Sequence, residues 1–172
     1  MSDNEIVVKL KERLAKNNIK DKDNYRHELR EITQEMIMAG LSKTDFFTKA
    51  AFHGGTSLRM IYKIERYSKD FDFTLDKMDN NFTWMPYLEK IREYVGEYGC
   101  FLEIKDKSKN ESKLRKAFLK DSSIDQMMEM SWRRRSGSVE KIDVKLEVAV
   151  NPPLYSVNEI KTHDFPVKFK AP

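Results

Sequence analysis

The sequence predicts an α/β (α+β) fold, a small mixed sheet with helices packed on it, and three observations carry that reading. Apolar residues recur at helical spacing within 3–17, 24–40 and 84–95, the pattern of amphipathic helices that cover a sheet. Apolar and aromatic side chains alternate with polar ones over 70–75 and 141–150, the two-residue period of strands, and an apolar, aromatic run over 46–53 precedes them. The pair Gly54-Gly55 ends that run, and an apolar-periodic stretch starts at Thr56. A chain of 172 residues suits one domain with a proper core. It divides into N-terminal helices over 1–45, a core over 46–150 and C-terminal strands over 151–172.

Taken in order, Ile6, Val7, Leu10 and Leu14 define a first helix from Asp3 to Asn17. Asn24 or Asp23 caps a second, carrying Tyr25, Leu29, Ile32, Met36 and Ile37 and ending at Gly40. Its His27 has no second metal-type residue at i+4 and is assigned no function. Phe46 to His53 is the first strand, with Phe47, Lys49, Ala51 and His53 on one face. A short helix from Thr56 leads to the second strand, Asp70 to Leu75, and a polar loop spans Asp76 to Thr83. Trp84, Tyr87, Leu88, Ile91, Tyr94 and Val95 mark a helix that stops near Gly99, before a strand at Phe101–Lys105. Lys113 to Leu119 suits a short helix or a strand. Met127 to Trp132 reads as a strand running into the basic turn Arg133-Arg134-Arg135. Lys141 to Val150 is a strand broken by Asn151-Pro152-Pro153, since proline cannot donate to a ladder. Tyr155-Ser156-Val157 and Phe165 to Lys170 read as short strands.

Composition narrows the function classes. Charged residues make up 35% and hydrophobic ones 40%, which fits a soluble globular protein and not a disordered chain. No stretch approaches the ~20 apolar residues of a membrane span. The acidic start Met1-Ser2-Asp3-Asn4-Glu5 lacks a signal-peptide core, so the expected location is cytoplasmic with no membrane partner. The single cysteine, Cys100, excludes an internal disulfide and a cysteine-based zinc site, and beside Phe101 and Leu102 it reads as a core thiol. Net charge is only +4, so nucleic-acid binding would rest on clustering. The candidates are Lys105, Lys107, Lys109, Lys113, Arg115, Lys116 and Lys120, a run of a kind that is usually a solvated surface, and Arg133 to Arg135.

The chemistry concentrates at residues 54–75. Asp70, Asp72 and Thr74 share one strand face while Phe71, Phe73 and Leu75 share the other, so the aromatic face packs inward and the carboxylates face a cleft. Two carboxylates side by side repel each other unless a cation sits between them, and oxygen-only ligands suit Mg2+. Gly54 and Gly55 let the backbone turn sharply and approach a ligand, and Thr56 is a fitting N-cap for the helix that follows. A helix N-terminus with free N–H groups is an anion site, here for phosphates. On the later strand Asp143, Lys145 and Glu147 share one face, mirroring Asp70 and Asp72.

The run Gly54-Gly55-Thr56-Ser57-Leu58, followed by Arg66-x-Ser68-x-Asp70-Phe71-Asp72-Phe73, resembles the AbiEii/AbiGii toxin family, within the DNA polymerase β-type nucleotidyltransferases. The resemblance spans most of the chain, from the helix before Phe46 to the end. It implies a polymerase β-like fold and a bacterial toxin of a type IV toxin–antitoxin or phage-defence system, with an antitoxin protein as partner. The implied reaction transfers a nucleoside monophosphate from an NTP to an acceptor hydroxyl, with RNA as acceptor, tRNA being the one known for related toxins. Asp70 and Asp72 would hold two Mg2+ ions. Glu147 is the first choice for the third carboxylate and general base, with Asp143 in reserve. Lys145-Leu146-Glu147 matches the family's Lys-x-Glu strand motif, which makes Lys145 a phosphate or charge-balancing partner. Gly54, Gly55, Thr56 and Ser57 would hold the β/γ phosphates, Arg66 and Lys69 would neutralise charge, and Ser68 would support the loop or touch substrate. Members usually continue into a helical C-terminal half, which this sequence is expected to lack. The competing readings are a non-catalytic nucleotide- or antitoxin-binding module, and a phosphotransferase or protein nucleotidyltransferase using the same site.

Overall fold

A computed structural model describes residues 3–17, 19, 21–109, 112–121, 123, 141–153, 159–163 and 169–172. Helices α1 (Asp3–Lys16) and α2 (Lys22–Leu41) are followed by a 3-10 turn at Phe46–Thr48 and strand β1 (Ala50–His53). Helix α3 (Gly54–Tyr62) joins β1 to β2 (Asp70–Leu75), and α4 (Met85–Gly96) leads to β3 (Leu102–Asp106), β4 (Leu114–Asp121) and β5 (Ile142–Ala149). The short strands β6 (Lys161–His163) and β7 (Phe169–Ala171) pair antiparallel with each other. The main sheet has the order β1-β2-β5-β4-β3; β2 and β5 run parallel and the other neighbours antiparallel, so the sheet is mixed as predicted.

The two-residue period sorts this sheet into unlike faces. Phe71, Phe73, Val144, Leu146, Val148, Ala117 and Leu119 are all essentially inaccessible, on the face that α2 and α4 cover. Burying each large side chain of this kind is worth about 1.5–3 kcal/mol. Leu29, Ile32, Met36 and Ile37 of α2 are fully buried because this helix lies between the sheet, α4 and α1, whose Leu14 is also buried. The opposite face carries Asp70, Asp72, Thr74, Asp143, Lys145, Glu147, Lys116, Phe118 and Lys120, in register from strand to strand and partly or fully exposed.

Several local expectations are corrected. The cap of α2 is Asp21, whose carboxylate accepts the Asn24 N–H at 2.8 Å, and not Asn24 or Asp23. Helix α2 ends at Leu41, one residue past the expected Gly40, and a Cβ on Gly40 would stand 3.2 Å from the Ile91 backbone, so the glycine also serves the crossing of α2 and α4. The strand expected over 46–53 begins only at Ala50, because Phe46 turns into an aromatic cluster with Phe73 and Trp84, at ring separations of 5.0 and 5.2 Å. Lys113 to Leu119 resolves as part of β4. Arg115 leaves the basic run altogether: it is 1% exposed on the inner face and donates to the carbonyls of Asn80, Phe82 and Lys109. Strand β6 had not been anticipated. The readings on Met127 to Trp132, Arg133 to Arg135, Tyr155 to Val157 and 165–168 lie outside the described residues.

Candidate active site

Strand pairing builds the site. Asp72 is opposite His53 of β1 on one side and Glu147 of β5 on the other, and Glu147 is in turn opposite Lys116 of β4. Asp70 is opposite Lys145. One lateral row of the open face thus reads His53, Asp72, Glu147, Lys116, and the next holds Asp70 and Lys145. Asp143 lies beyond the start of β2, opposite and 3.7 Å from Lys120, and its side chain is 63% exposed. The register therefore joins Glu147, and not Asp143, to the aspartate pair.

The charges in these rows are interlocked. The Lys145 ammonium lies 2.9 Å from Asp70 and 3.3 Å from Glu147, while Lys116 lies 2.8 Å from the other Glu147 oxygen. Burial alone would raise the Glu147 carboxyl, but hydrogen bonds from Lys116 and Lys145 bring it below the ordinary glutamate value. Its bond to Asp70 raises Lys145. Asp72 moves the other way: burial pushes its carboxyl up, and the nearby Glu147 and Asp70 add to that, against the opposing pull of His53 and Lys145. Asp72 is the carboxylate short of positive charge.

The glycine turn is fitted around the same side chain. Gly54 sits at φ +77°, where only glycine is unstrained, and a Cβ on it would stand 2.4 Å from Asp72 Oδ2. A Cβ on Gly55 would stand 3.0 Å from Ser68 Oγ. These glycines let the N-terminus of α3 abut the carboxylates. The helix begins at Gly54, with His53 as its cap residue, so Thr56 is not the N-cap that the sequence predicts. Thr56 is 1% exposed and its hydroxyl donates to the Asp70 carbonyl. Ser57 is also buried. Arg66 and Lys69 are exposed on the connection from α3 to β2, and their side chains make no hydrogen bond or ion pair among the described residues.

Three further residues emerge from the structure. Gln34 of α2 is 2% exposed and its amide donates to the carbonyls of Ser68 and Lys69, both at 3.2 Å. With Thr56 it captures three consecutive carbonyls at the entrance to β2 and so fixes where Asp70 starts. The sequence signal was a lone amide among the apolar positions of α2. His53 bonds to Thr74 at 2.8 Å beside Asp72, and only its place before Gly54 hinted at this. Lys116 belongs to the basic run read from the sequence, but nothing local ties it to Glu147. A cavity of about 560 Å³ adjoins the site at His53 and Thr74, with Tyr62 and Pro153 in its wall. A larger one, about 610 Å³, lies between α1, α2 and α3, behind Thr56 and Gln34 and away from the carboxylate row. Its walls include Arg13, paired with Glu28, Glu31 and Glu35.

The carboxylates of the two rows offer oxygen donors, which suit Mg2+, with the His53 imidazole beside them, and an ammonium already lies between Asp70 and Glu147, where a cation is favoured. Among the described residues no three carboxylate, histidine or thiol groups converge as a ready-made metal cluster. Lys145 engages Asp70 and, with Lys116, Glu147, which leaves Asp72 as the one of the three candidate carboxylates with no ion pair among the described residues.

A mixed sheet with helices on one face and, on the other, an aspartate pair beside a glycine-opened helix defines a nucleotidyltransferase fold. A structure of a proposed nucleotidyltransferase from H. pylori shares it, with a TM-score of 0.50 at 20% identity over 79% of this chain and 52% of that one. JHP933 from Helicobacter pylori is similar at 21% identity and a TM-score of 0.49, over 76% of this chain and 47% of its own. The profile described as "Nucleotidyl transferase AbiEii toxin, Type IV TA system" matches residues 36–171, and the chain belongs to that family. The chain spans about half the length of the two solved structures. No curated protein matches it.

Proposed function

We propose that this domain is the catalytic part of a toxin that transfers a nucleoside monophosphate from an NTP to an acceptor hydroxyl on RNA, with tRNA the leading candidate. The observation that carries this is the register of Asp70, Asp72 and Glu147 on one open face, against the N-terminus of α3. Asp70 and Asp72 would hold Mg2+, with Glu147 at their side. Mg2+ bound there would stabilise charge on the attacking and leaving oxygens of an in-line displacement. The N–H groups at Gly55 and Thr56 would bind the β/γ phosphates. The Thr56 hydroxyl is committed to Asp70, which leaves Ser57 as the hydroxyl for that role. Lys145 would pass from Asp70 to phosphate oxygens, and Arg66 and Lys69 extend from the adjoining connection. Glu147, held ionised by its two lysines, would take the acceptor proton. The acceptor oxygen forms a bond to the α-phosphorus, the bond to the β-phosphate oxygen breaks, and pyrophosphate leaves.

Family membership supports an antitoxin as partner. Among the described residues no helix is long and apolar enough to cross a membrane, and the reaction belongs where NTP and RNA are abundant, in the cytoplasm. The test is to incubate the chain with total bacterial RNA, Mg2+ and each α-labelled NTP, beside Asp70→Ala/Asp72→Ala. Labelled RNA with the wild type alone is the expected result; equal labelling by the variant would refute the assignment. One observation favours a second reading, a nucleotide- or antitoxin-binding module: the Lys145 ammonium already pairs with both Asp70 and Glu147. That reading predicts NTP binding with no turnover.

A further inference from the structure

We infer that the outer face of β5, β4 and β3 is the platform on which a single-stranded RNA acceptor lies, with Phe118 stacking a base next to the reacting end. This rests on the RNA-acceptor reading above and gives it a surface. Asp70, Lys145, Phe118 and Lys105 are successive cross-strand neighbours on β2, β5, β4 and β3. With strands about 4.8 Å apart, Phe118 stands roughly 10 Å to the side of Asp70, on the same open face.

Phe118 is out of place as a core residue. The alternation of β4 sends Arg115, Ala117, Leu119 and Asp121 inward and Phe118 outward, where it remains partly exposed. Among the described residues its ring meets no other aromatic ring, and its partner is the Lys107 ammonium, 4.9 Å from the ring centre. Lys105 and Lys107 are exposed and form no ion pair among the described residues. Lys116 and Lys120 edge the same strand and face Glu147 and Asp143. An aromatic ring among lysines on an open sheet matches the chemistry of single-stranded nucleic acid, whose bases stack on the ring while its phosphates meet the ammonium groups. The platform is continuous with the carboxylate row, so a strand lying across it presents its end hydroxyl to Glu147 and the aspartates.

The experiment uses the whole chain and 5′-fluorescein-labelled single-stranded RNA, read by anisotropy across about 50 to 200 mM salt, together with transfer of α-labelled NTP to the same RNA. Phe118→Ala should weaken RNA binding about tenfold, Phe118→Leu should do likewise, and Phe118→Tyr should keep it, since base stacking is what is removed. Circular dichroism of the Tyr and Leu variants controls for folding. Lys105→Gln/Lys107→Gln should lower the slope of log affinity against log salt by roughly 1.4, about 0.7 for each lost phosphate contact on a single strand. In transfer, the loss should fall on the KM for RNA and leave the KM for NTP in place. If the wild type labels RNA and Phe118→Ala binds and labels it equally well, this inference is overturned and the RNA reading stands; a face reserved for a protein partner gives that result. A wild type that neither binds nor labels RNA overturns both.

Discussion

Replacing Gly54 by alanine adds one methyl group where α3 leaves β1. Two costs follow from the geometry. Holding a non-glycine residue at φ +77° costs about 1–2 kcal/mol. The new Cβ would also stand 2.4 Å from Asp72 Oδ2, against an ordinary contact of 3.4 Å or more, so the carboxylate must retreat by about 1 Å. Misplacement on that scale costs about 100-fold in rate. Gly99 supplies the control, because its φ is +75° and nothing lies within 4 Å of a Cβ built there. Gly99→Ala should lose about 1 kcal/mol, a fall in Tm of roughly 2–4 °C for a chain of this size, with nucleotide transfer intact. Gly54→Ala should show a similar or larger fall in Tm together with about 100-fold slower transfer. Thermal denaturation and initial rates of label transfer read the two effects separately. A Gly54→Ala protein that transfers at the wild-type rate would refute the argument that this glycine exists to clear Asp72.

Gln34→Leu keeps the volume but strips the donors from the Ser68 and Lys69 carbonyls; urea titration should show a loss of about 1–3 kcal/mol, and kcat should fall as Asp70 loosens. Lys63 ends α3 at φ 58° without being glycine, so Lys63→Gly should stabilise by roughly 0.5–1 kcal/mol, read as a rise in Tm. Asp72 has a carboxyl raised in the folded chain, so its contribution to stability falls as pH rises through the unfolded and then the folded value. In metal-free buffer Asp72→Asn should therefore match the wild type at low pH and exceed it in denaturation midpoint near neutrality; parity at both pH values would contradict the assigned burial. Cys100 is 1% exposed and its thiol is pushed up to about 12 by burial, so it should resist a thiol reagent when native and react at once in urea.

What was legible in the sequence was local. The strand carrying Asp70 and Asp72 could be read because a two-residue period belongs to the strand itself, and Phe71 and Phe73 are buried as that period requires. The same rule ordered β5, but there the resemblance to the family's Lys-x-Glu strand motif, and not the period, pointed to Lys145 and Glu147. Local rules failed where long-range packing decides. Thr56 has the chemistry of a cap, but the left-handed Gly54 starts the helix earlier and turns the threonine toward Asp70. Gly40 lies one residue from the end of α2 but also serves a helix crossing that the sequence does not display, and Phe46 left its strand for the Trp84 cluster. Gln34 and Lys116 touch residues 34 and 31 positions away in sequence, contacts that no window of the chain displays.

The central claim is that the carboxylate row moves the α-phosphorus of an NTP. Running the reaction twice on the same RNA, with α-labelled and with γ-labelled NTP, tests it most directly. The account predicts α-label in the acceptor and γ-label released as pyrophosphate, both lost in Asp70→Ala/Asp72→Ala. Gamma label in the acceptor would make the domain a phosphotransferase and contradict the assignment.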